Sequence, residues 1–195
     1  MIARVRSLLR DRRGGPTAEF AMTLPAVLLL VLGFGDLAYQ AYLESVLTGA
    51  VQKAGRDSTI QGAATQTSQI DQNVINIVKS AAPQATFVSS RENYDNYTEI
   101  GPEPFTDTNH NGVRDKGECY SDVNGNGQWD SDPGVAGQGG ANDVTYYKMQ
   151  VTFPRLFPFA WLIGWSQKVT ISASTILKNQ PYATQTVNTV TTLCN

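Results

Sequence analysis

The sequence predicts an α+β protein, in which one long N-terminal helix crosses a membrane and continues into a small domain with an antiparallel sheet and an acidic loop insertion. Three observations predict it. Residues 16–35 form an almost uncharged run, Val144–Phe153 and Lys168–Leu177 alternate apolar with polar residues, and residues 102–133 repeat an Asp/Asn/Gly pattern. The expected organisation is a basic leader at 1–14, a transmembrane and extended helix at 15–57, and an outer domain at 58–195 that carries the insertion at 102–133.

The membrane segment comes first. From Pro16 to Gly35 there are twenty residues and one charge, Glu19. At helical rise, such a run spans about 30 Å, the hydrocarbon thickness of a bilayer. Pro25, damaging inside a soluble helix, is tolerated in a transmembrane one. Arg4, Arg6, Arg10, Arg12 and Arg13 precede the run, and no comparable cluster follows it. The positive-inside rule then leaves the N-terminus in the cytoplasm and the rest outside. A cleavable secretory signal is the alternative, with Gly33-Phe34-Gly35 as the cut site. The length of the run argues for a retained anchor, as does its unbroken passage into Asp36–Arg56, where Leu37, Ala41, Leu47, Ala50, Val51 and Ala54 fall near one helical face. Glu19 either snorkels to the headgroups or needs a cationic partner from another chain, because a carboxylate at that depth costs about 3 kcal/mol.

The outer domain follows in order. Residues 58–72, rich in Thr, Ser, Gln, Gly and Ala, read as a linker. Ile70–Ala82 has helical spacing in Ile70, Val74, Ile77, Val78 and Ala81 and stops before Pro83. Ala85–Ser89 reads as a strand, Gly134–Ala141 as a Gly-rich hinge, and Val144–Phe153 and Lys168–Leu177 as the two main strands. Between those strands lies an apolar loop with Phe157, Phe159, Trp161, Leu162, Ile163 and Trp165. It fills a core, or it dips into the outer membrane face or docks another subunit. Ala183–Asn195 alternates Thr and Val and predicts a last strand that carries Cys194 toward the sheet.

Charge is unevenly spread. Residues 1–13 carry five arginines against Asp11, a balance of +4, while residues 92–132 carry ten acids against Arg114 and Lys116, a balance of −8, within a total of −2. No basic surface remains for nucleic acid. One histidine, His110, excludes common zinc sites and His-based triads, and no other catalytic constellation is legible, so an enzyme is not expected. Two cysteines, Cys119 and Cys194, permit one disulfide if both lie outside the cell and two free thiols otherwise; the anchor's direction favours the bridge.

The sharpest chemistry is in the acidic middle. Asp107, Asn109, Asn111, Asp115 and Glu118 stand at positions one, three, five, nine and twelve of a loop with Gly112 at six. This is the EF-hand formula: alternate oxygens converge on a hard cation, Gly permits the turn, Val113 offers its carbonyl, and the closing glutamate binds through both oxygens. Fifteen residues on, Asp122, Asn124, Asn126, Gln128 and Asp130 repeat the first nine positions, with Asp132-Pro133 in place of a closing Glu. The second site is therefore expected to be weaker or to need another ligand. A pair of Asn-Gly turns is the alternative; repetition in register favours calcium. With Pro102 and Pro104 just upstream, no entering helix forms, and the loops look like the helix-poor calcium loops of dockerins, with a structural role.

Arg12-Arg13-Gly14-Gly15-Pro16-Thr17-Ala18-Glu19-Phe20-Ala21-Met22, followed by Leu24-Pro25 and a Leu/Val run, resembles the TadE-like family, minor pilins or pseudopilins of Flp/Tad type IV pilus systems. The strand, apolar loop, strand and closing Lys178-Asn-Gln-Pro-Tyr182 are similar to that family as well. The resemblance implies a pilin-like domain, cleavage by a prepilin peptidase between Gly14 and Gly15, and Glu19 as the fifth residue of the mature chain with Phe20 beside it. Glu19 then neutralises the terminal ammonium of a neighbouring subunit. It also implies other pilins and the Tad/Flp assembly machinery as partners, and a single-pass place in the bacterial inner membrane, with possible incorporation in the pilus. The rival is a solitary membrane-anchored adhesive or ligand-binding envelope protein.

Overall fold

The computed structural model describes residues 15–59, 66–157, 161, 164–181 and 188–194. Gly14 and the basic leader, with Phe159, Leu162 and Ile163 of the apolar loop, lie outside the described residues. The elements are helix α1 (Gly15–Ser58), helix α2 (Thr67–Ala81), strand β1 (Thr86–Tyr94), a 3-10 turn (Tyr97–Glu99), β2 (Cys119–Asp122), β3 (Val135–Ala136), β4 (Val144–Pro154), β5 (Lys168–Lys178) and β6 (Thr191–Cys194). A long apolar helix followed by an antiparallel sheet domain makes the chain α+β.

The chain divides into two compact units. The first takes the described part of Met1–Tyr42 with Arg155–Gln167, and the second takes Leu43–Pro154 with Lys168–Asn195. In the first, α1 runs through Pro25 and exposes Phe20, Met22, Val27, Leu28, Leu29, Leu30, Val31 and Phe34. Apolar side chains around a helix suit a hydrocarbon solvent. Among the described residues it is the one helix long and apolar enough to cross a membrane, with a window of mean hydropathy 2.0.

The second unit holds the core. Its sheet has the order β3-β1-β4-β5, antiparallel throughout. β4 buries Tyr147, Met149, Val151 and Phe153, and β5 buries Val169, Ile171, Ala173 and Leu177. Pairs such as Val151↔Ile171 and Met149↔Ala173 bring these to one face, as the period of two requires. The other face is Thr- and Ser-rich, with Thr152 bonded to Thr170 at 2.8 Å. Against the apolar face lie Leu43, Leu47, Ala50, Val51 and Ala54 of α1 and Ile70, Val74 and Val78 of α2. Leu37 and Ala41, expected on that stripe, are exposed, and Leu43 begins it instead. Asp71 on α2 is held by Arg91 (2.6 Å), Tyr147 (2.8 Å) and Ser89 (2.8 Å), tying the helix to β1 and β4.

Three elements depart from the sequence reading. α2 begins at Thr67, inside the expected linker, because its polar first turn carries no apolar periodicity. β1 runs on to Tyr94, past the expected end at Ser89: Ser90–Asn93 are polar but pair with Thr145–Lys148 on one side, and Glu92 and Asn93 pair with β3 from the Gly-rich stretch on the other. The C-terminal strand is short and pairs with β2 in a separate two-stranded sheet, not with the main sheet.

Candidate functional site

Two features carry chemistry: the first helix with its loop, and the acidic insertion. α1 is described from Gly15 onward, and the side chains of Glu19 and Phe20 are exposed, Phe20 by 63%. Glu19 makes no ion pair among the described residues. Twenty residues beyond Pro16, Asp36 is buried and paired with Arg155. The Leu156 amide also donates to Asp36 (3.0 Å), and Arg155 Nε donates to the Ser166 carbonyl (2.7 Å) while its guanidinium lies 5.2 Å from the Trp165 ring centre. Arg155 thus ties both ends of the apolar loop to Asp36. Trp161 and Trp165 are more than half exposed.

In the first loop of the insertion, Asp107 accepts from the amides of Asn111 (3.2 Å) and Gly112 (2.8 Å). Asn109 Oδ1 accepts from Asn111 N (3.0 Å), and Asn111 Oδ1 from Val113 N (2.8 Å). The amide nitrogens of Asn109 and Asn111 both reach Asp115 Oδ2, at 2.7 and 2.9 Å. The second loop repeats this. Asp122 accepts from Asn126 (3.2 Å) and Gly127 (2.8 Å), Asn124 Oδ1 from Asn126 N (3.1 Å), and Asn126 Oδ1 from Gln128 N (2.7 Å), while the amide nitrogens of Asn124 and Asn126 reach Asp130 Oδ2 at 2.9 and 2.5 Å. The fourth and sixth positions take positive φ in both, at His110 and Gly112 and at Gly125 and Gly127. In each loop side-chain groups from positions three, five and nine meet at one point. Rotating the two carboxamides by half a turn would present oxygens there in place of nitrogens.

Glu118 closes the first loop. Its Oε1 accepts from Thr108 N (2.7 Å) and Thr108 Oγ1 (2.8 Å), and its Oε2 accepts from Asp115 N (2.9 Å). The Asp115 amide, with the Thr108 hydroxyl and amide, holds the Glu118 carboxyl below its ordinary pKa and so in its charged form. Asp132 does not do the same for the second loop: its Oδ1 accepts from the Tyr94 hydroxyl (2.7 Å) and from Gly134 N (3.2 Å).

Glu103, which sequence reasoning left out, sits in that place. Its Oε1 accepts from Val123 N (2.9 Å) and its Oε2 from Asp130 N (3.0 Å), the second and ninth residues of the loop, as Thr108 and Asp115 are of the first. Glu103 N donates to Asp130 O (3.0 Å), and Glu118 N to Asp115 O (3.1 Å). The eighth residue's side chain caps the glutamate carbonyl in both: Trp129 Nε1 on Glu103 O (2.9 Å), Arg114 on Glu118 O (3.3 Å). A signal was available. Glu103-Pro-Phe-Thr-Asp107 and Glu118-Cys-Tyr-Ser-Asp122 align at the same fifteen-residue offset as the loops, so each repeat begins with a glutamate. The two leading segments bond reciprocally, Thr106 N to Cys119 O and Ser121 N to Pro104 O, both at 2.8 Å, about the bridge Phe105↔Tyr120. Cys119 is bonded to Cys194, which joins β2 to β6 beside this pair.

Residues 15–56 match the family model described as TadE-like protein. No curated protein and no solved structure matches the chain. The TadE-like segment lies within α1 and ends two residues before it, and the loops lie outside the segment.

Proposed function

We propose that the chain is a membrane-anchored minor pilin or pseudopilin of a Tad/Flp pilus system, single-pass in the bacterial inner membrane, with its outer domain stabilised by calcium. The observation that carries this is the coincidence of the TadE-like segment with one apolar helix whose Glu19 has no partner within the described chain. A carboxylate on a lipid-facing helix calls for a cation. Cleavage by a prepilin peptidase between Gly14 and Gly15 supplies one, the new α-amino group of a neighbouring pilin, and Phe20 packs beside it. Contacts with other pilins and the assembly machinery run along this helix. The Asp36–Arg155 pair sits about 30 Å along the helix from Pro16, a bilayer's hydrocarbon thickness. That supports a place for Trp161 and Trp165 among the lipid headgroups, where such rings are favoured.

In the outer domain, calcium is held by Asp107, Asn109, Asn111, Val113 and Asp115 with Glu118, and by Asp122, Asn124, Asn126, Gln128 and Asp130. The doubled hydrogen-bond network supports this reading, and the −8 balance of residues 92–132 gives the cations a role in offsetting repulsion.

Glu19→Ala tests the assembly role. The variant is expected to insert and accumulate normally in the membrane while piliation is lost. Normal piliation with the variant would favour the solitary adhesive or ligand-binding anchor instead.

A further inference from the structure

We infer that Glu103 is the bidentate closing ligand of the second cation site, so that each repeat's leading glutamate closes the other repeat's loop. The inference rests on the calcium reading of the loops and adds a ligand that lies outside the second loop's own sequence.

Glu103 makes to the second loop the same four backbone-level contacts that Glu118 makes to the first: carboxylate to the second and ninth amides, its own amide to the ninth carbonyl, and its carbonyl to the eighth side chain. In the first loop the residue so placed stands at the twelfth position, whose glutamate in this motif binds through both oxygens. Position in sequence differs between the two; position in space does not.

Burial supplies an independent reason. Glu103 is 1% exposed and Asp122 2%, and among the described residues neither is paired with a cationic side chain. Two carboxylates withdrawn from water with no counter-charge are costly. Nor is Glu103 saturated. A carboxylate has about four acceptor sites, and its two oxygens take one N–H each, which leaves a lone pair on each oxygen. A divalent cation at the second loop supplies the missing charge and fills both. Asp132, the nearest acid by sequence, is engaged by Tyr94 and Gly134.

The test uses the full chain in detergent micelles, titrated with calcium by calorimetry and with terbium as a luminescent substitute. Trp129 is in the second loop and no tryptophan is in the first, so terbium emission excited through Trp129 reports the second site. The wild type is expected to bind two calcium ions. Glu103→Gln is expected to weaken one of the two sites by about tenfold or more and to lose the sensitised emission, with the other site unchanged. Glu118→Gln is expected to do the reverse and keep the emission. Glu103→Asp retains the charge but shortens the reach, which guards against a simple folding defect. It is expected to weaken the Trp129-reported site while leaving the other at wild-type affinity. Two wild-type-affinity sites in both Glu103 variants, or a second site equally intact in Glu103→Asp, overturns the inference with the calcium reading left standing. A wild type that binds a single ion, abolished by Glu118→Gln, overturns it also. A wild type that binds none overturns the calcium reading itself.

Discussion

Asp71 is the residue on which the sheet domain's helix and strands converge. Arg91 and Tyr147 hold its two oxygens, Ser89 shares one, and the Arg91 guanidinium lies 4.2 Å from the Tyr147 ring centre. Burial works against the Asp71 charge, but the hydrogen bonds from Arg91, Tyr147 and Ser89 outweigh it and hold the carboxyl below its ordinary value. Burial and the Asp71 carboxylate push the Tyr147 phenol upward in turn. A carboxyl whose pKa is depressed by folding contributes stability above its unfolded value, about 3.9, and loses it as pH falls through the folded value. Asp71→Asn is therefore expected to destabilise the domain at neutral pH by about 3 kcal/mol, since it leaves Arg91 buried against a neutral group. Thermal melts of both proteins from pH 7 to 2 check this: the gap should be widest at neutral pH and narrow below about pH 4. A constant gap would mean that the lost contact is steric, not ionic.

At the scale of elements, β2 is the strut of the insertion. It is four residues long, yet Glu118 directly precedes it and Asp122 ends it, so one carboxylate of each loop is fixed by where β2 lies. β6 fixes it by pairing Cys119↔Cys194 and Asp122↔Thr191, and the disulfide closes a span of 75 residues. A loop of that length stabilises by about 4 kcal/mol through the unfolded chain. Replacing both cysteines by serine is expected to lower stability on that order and to weaken cation binding at both loops by about tenfold, because both closing geometries loosen together. Calorimetric titration of the double variant decides it; unchanged affinity would show that the reciprocal bonds of residues 104–106 hold β2 unaided. The same elements explain what could be read in advance. α1, β4 and β5 were legible because each buries one face along a regular period, at 3.6 for Leu43 to Ala54 and at 2 for Val169 to Ala173. The extension of β1 through Ser90–Asn93 and the edge strand Val135–Ala136 were not, because their pairing is a property of neighbours distant in sequence and neither segment carries an apolar period of its own. The Asp/Asn/Gly repetition of the two loops was legible as a motif. The place of Glu103 against the second loop was not, because a contact that crosses from one repeat to the other leaves its trace in the repeat's length and none in the spacing within a loop.

For the whole molecule, charge and hydropathy are arranged end to end: five arginines before the apolar helix, ten acids within residues 92–132 after it, and one membrane-length run between. In the proposed orientation the arginines stay in the cytoplasm and the acidic insertion lies outside, where calcium is plentiful and a disulfide persists. The insertion has little apolar content of its own, so its order depends on turn hydrogen bonds, one disulfide and the proposed cations. Without cations, the carboxylates of residues 92–132 repel one another and local opening becomes easier. Protease added to intact spheroplasts should therefore cut in a calcium-dependent way. With calcium present, cleavage within residues 102–133 is expected to be slow; with chelator it is expected to speed several-fold, on the order of tenfold for each 1.4 kcal/mol of lost cation stabilisation. A tag placed before Met1 should be no more depleted with protease than without it in both treatments. Loss of that tag beyond what the prepilin peptidase removes in protease-free spheroplasts would reverse the proposed orientation, whereas equal cleavage with and without calcium would leave the orientation intact and remove the cation from the account of the insertion's stability.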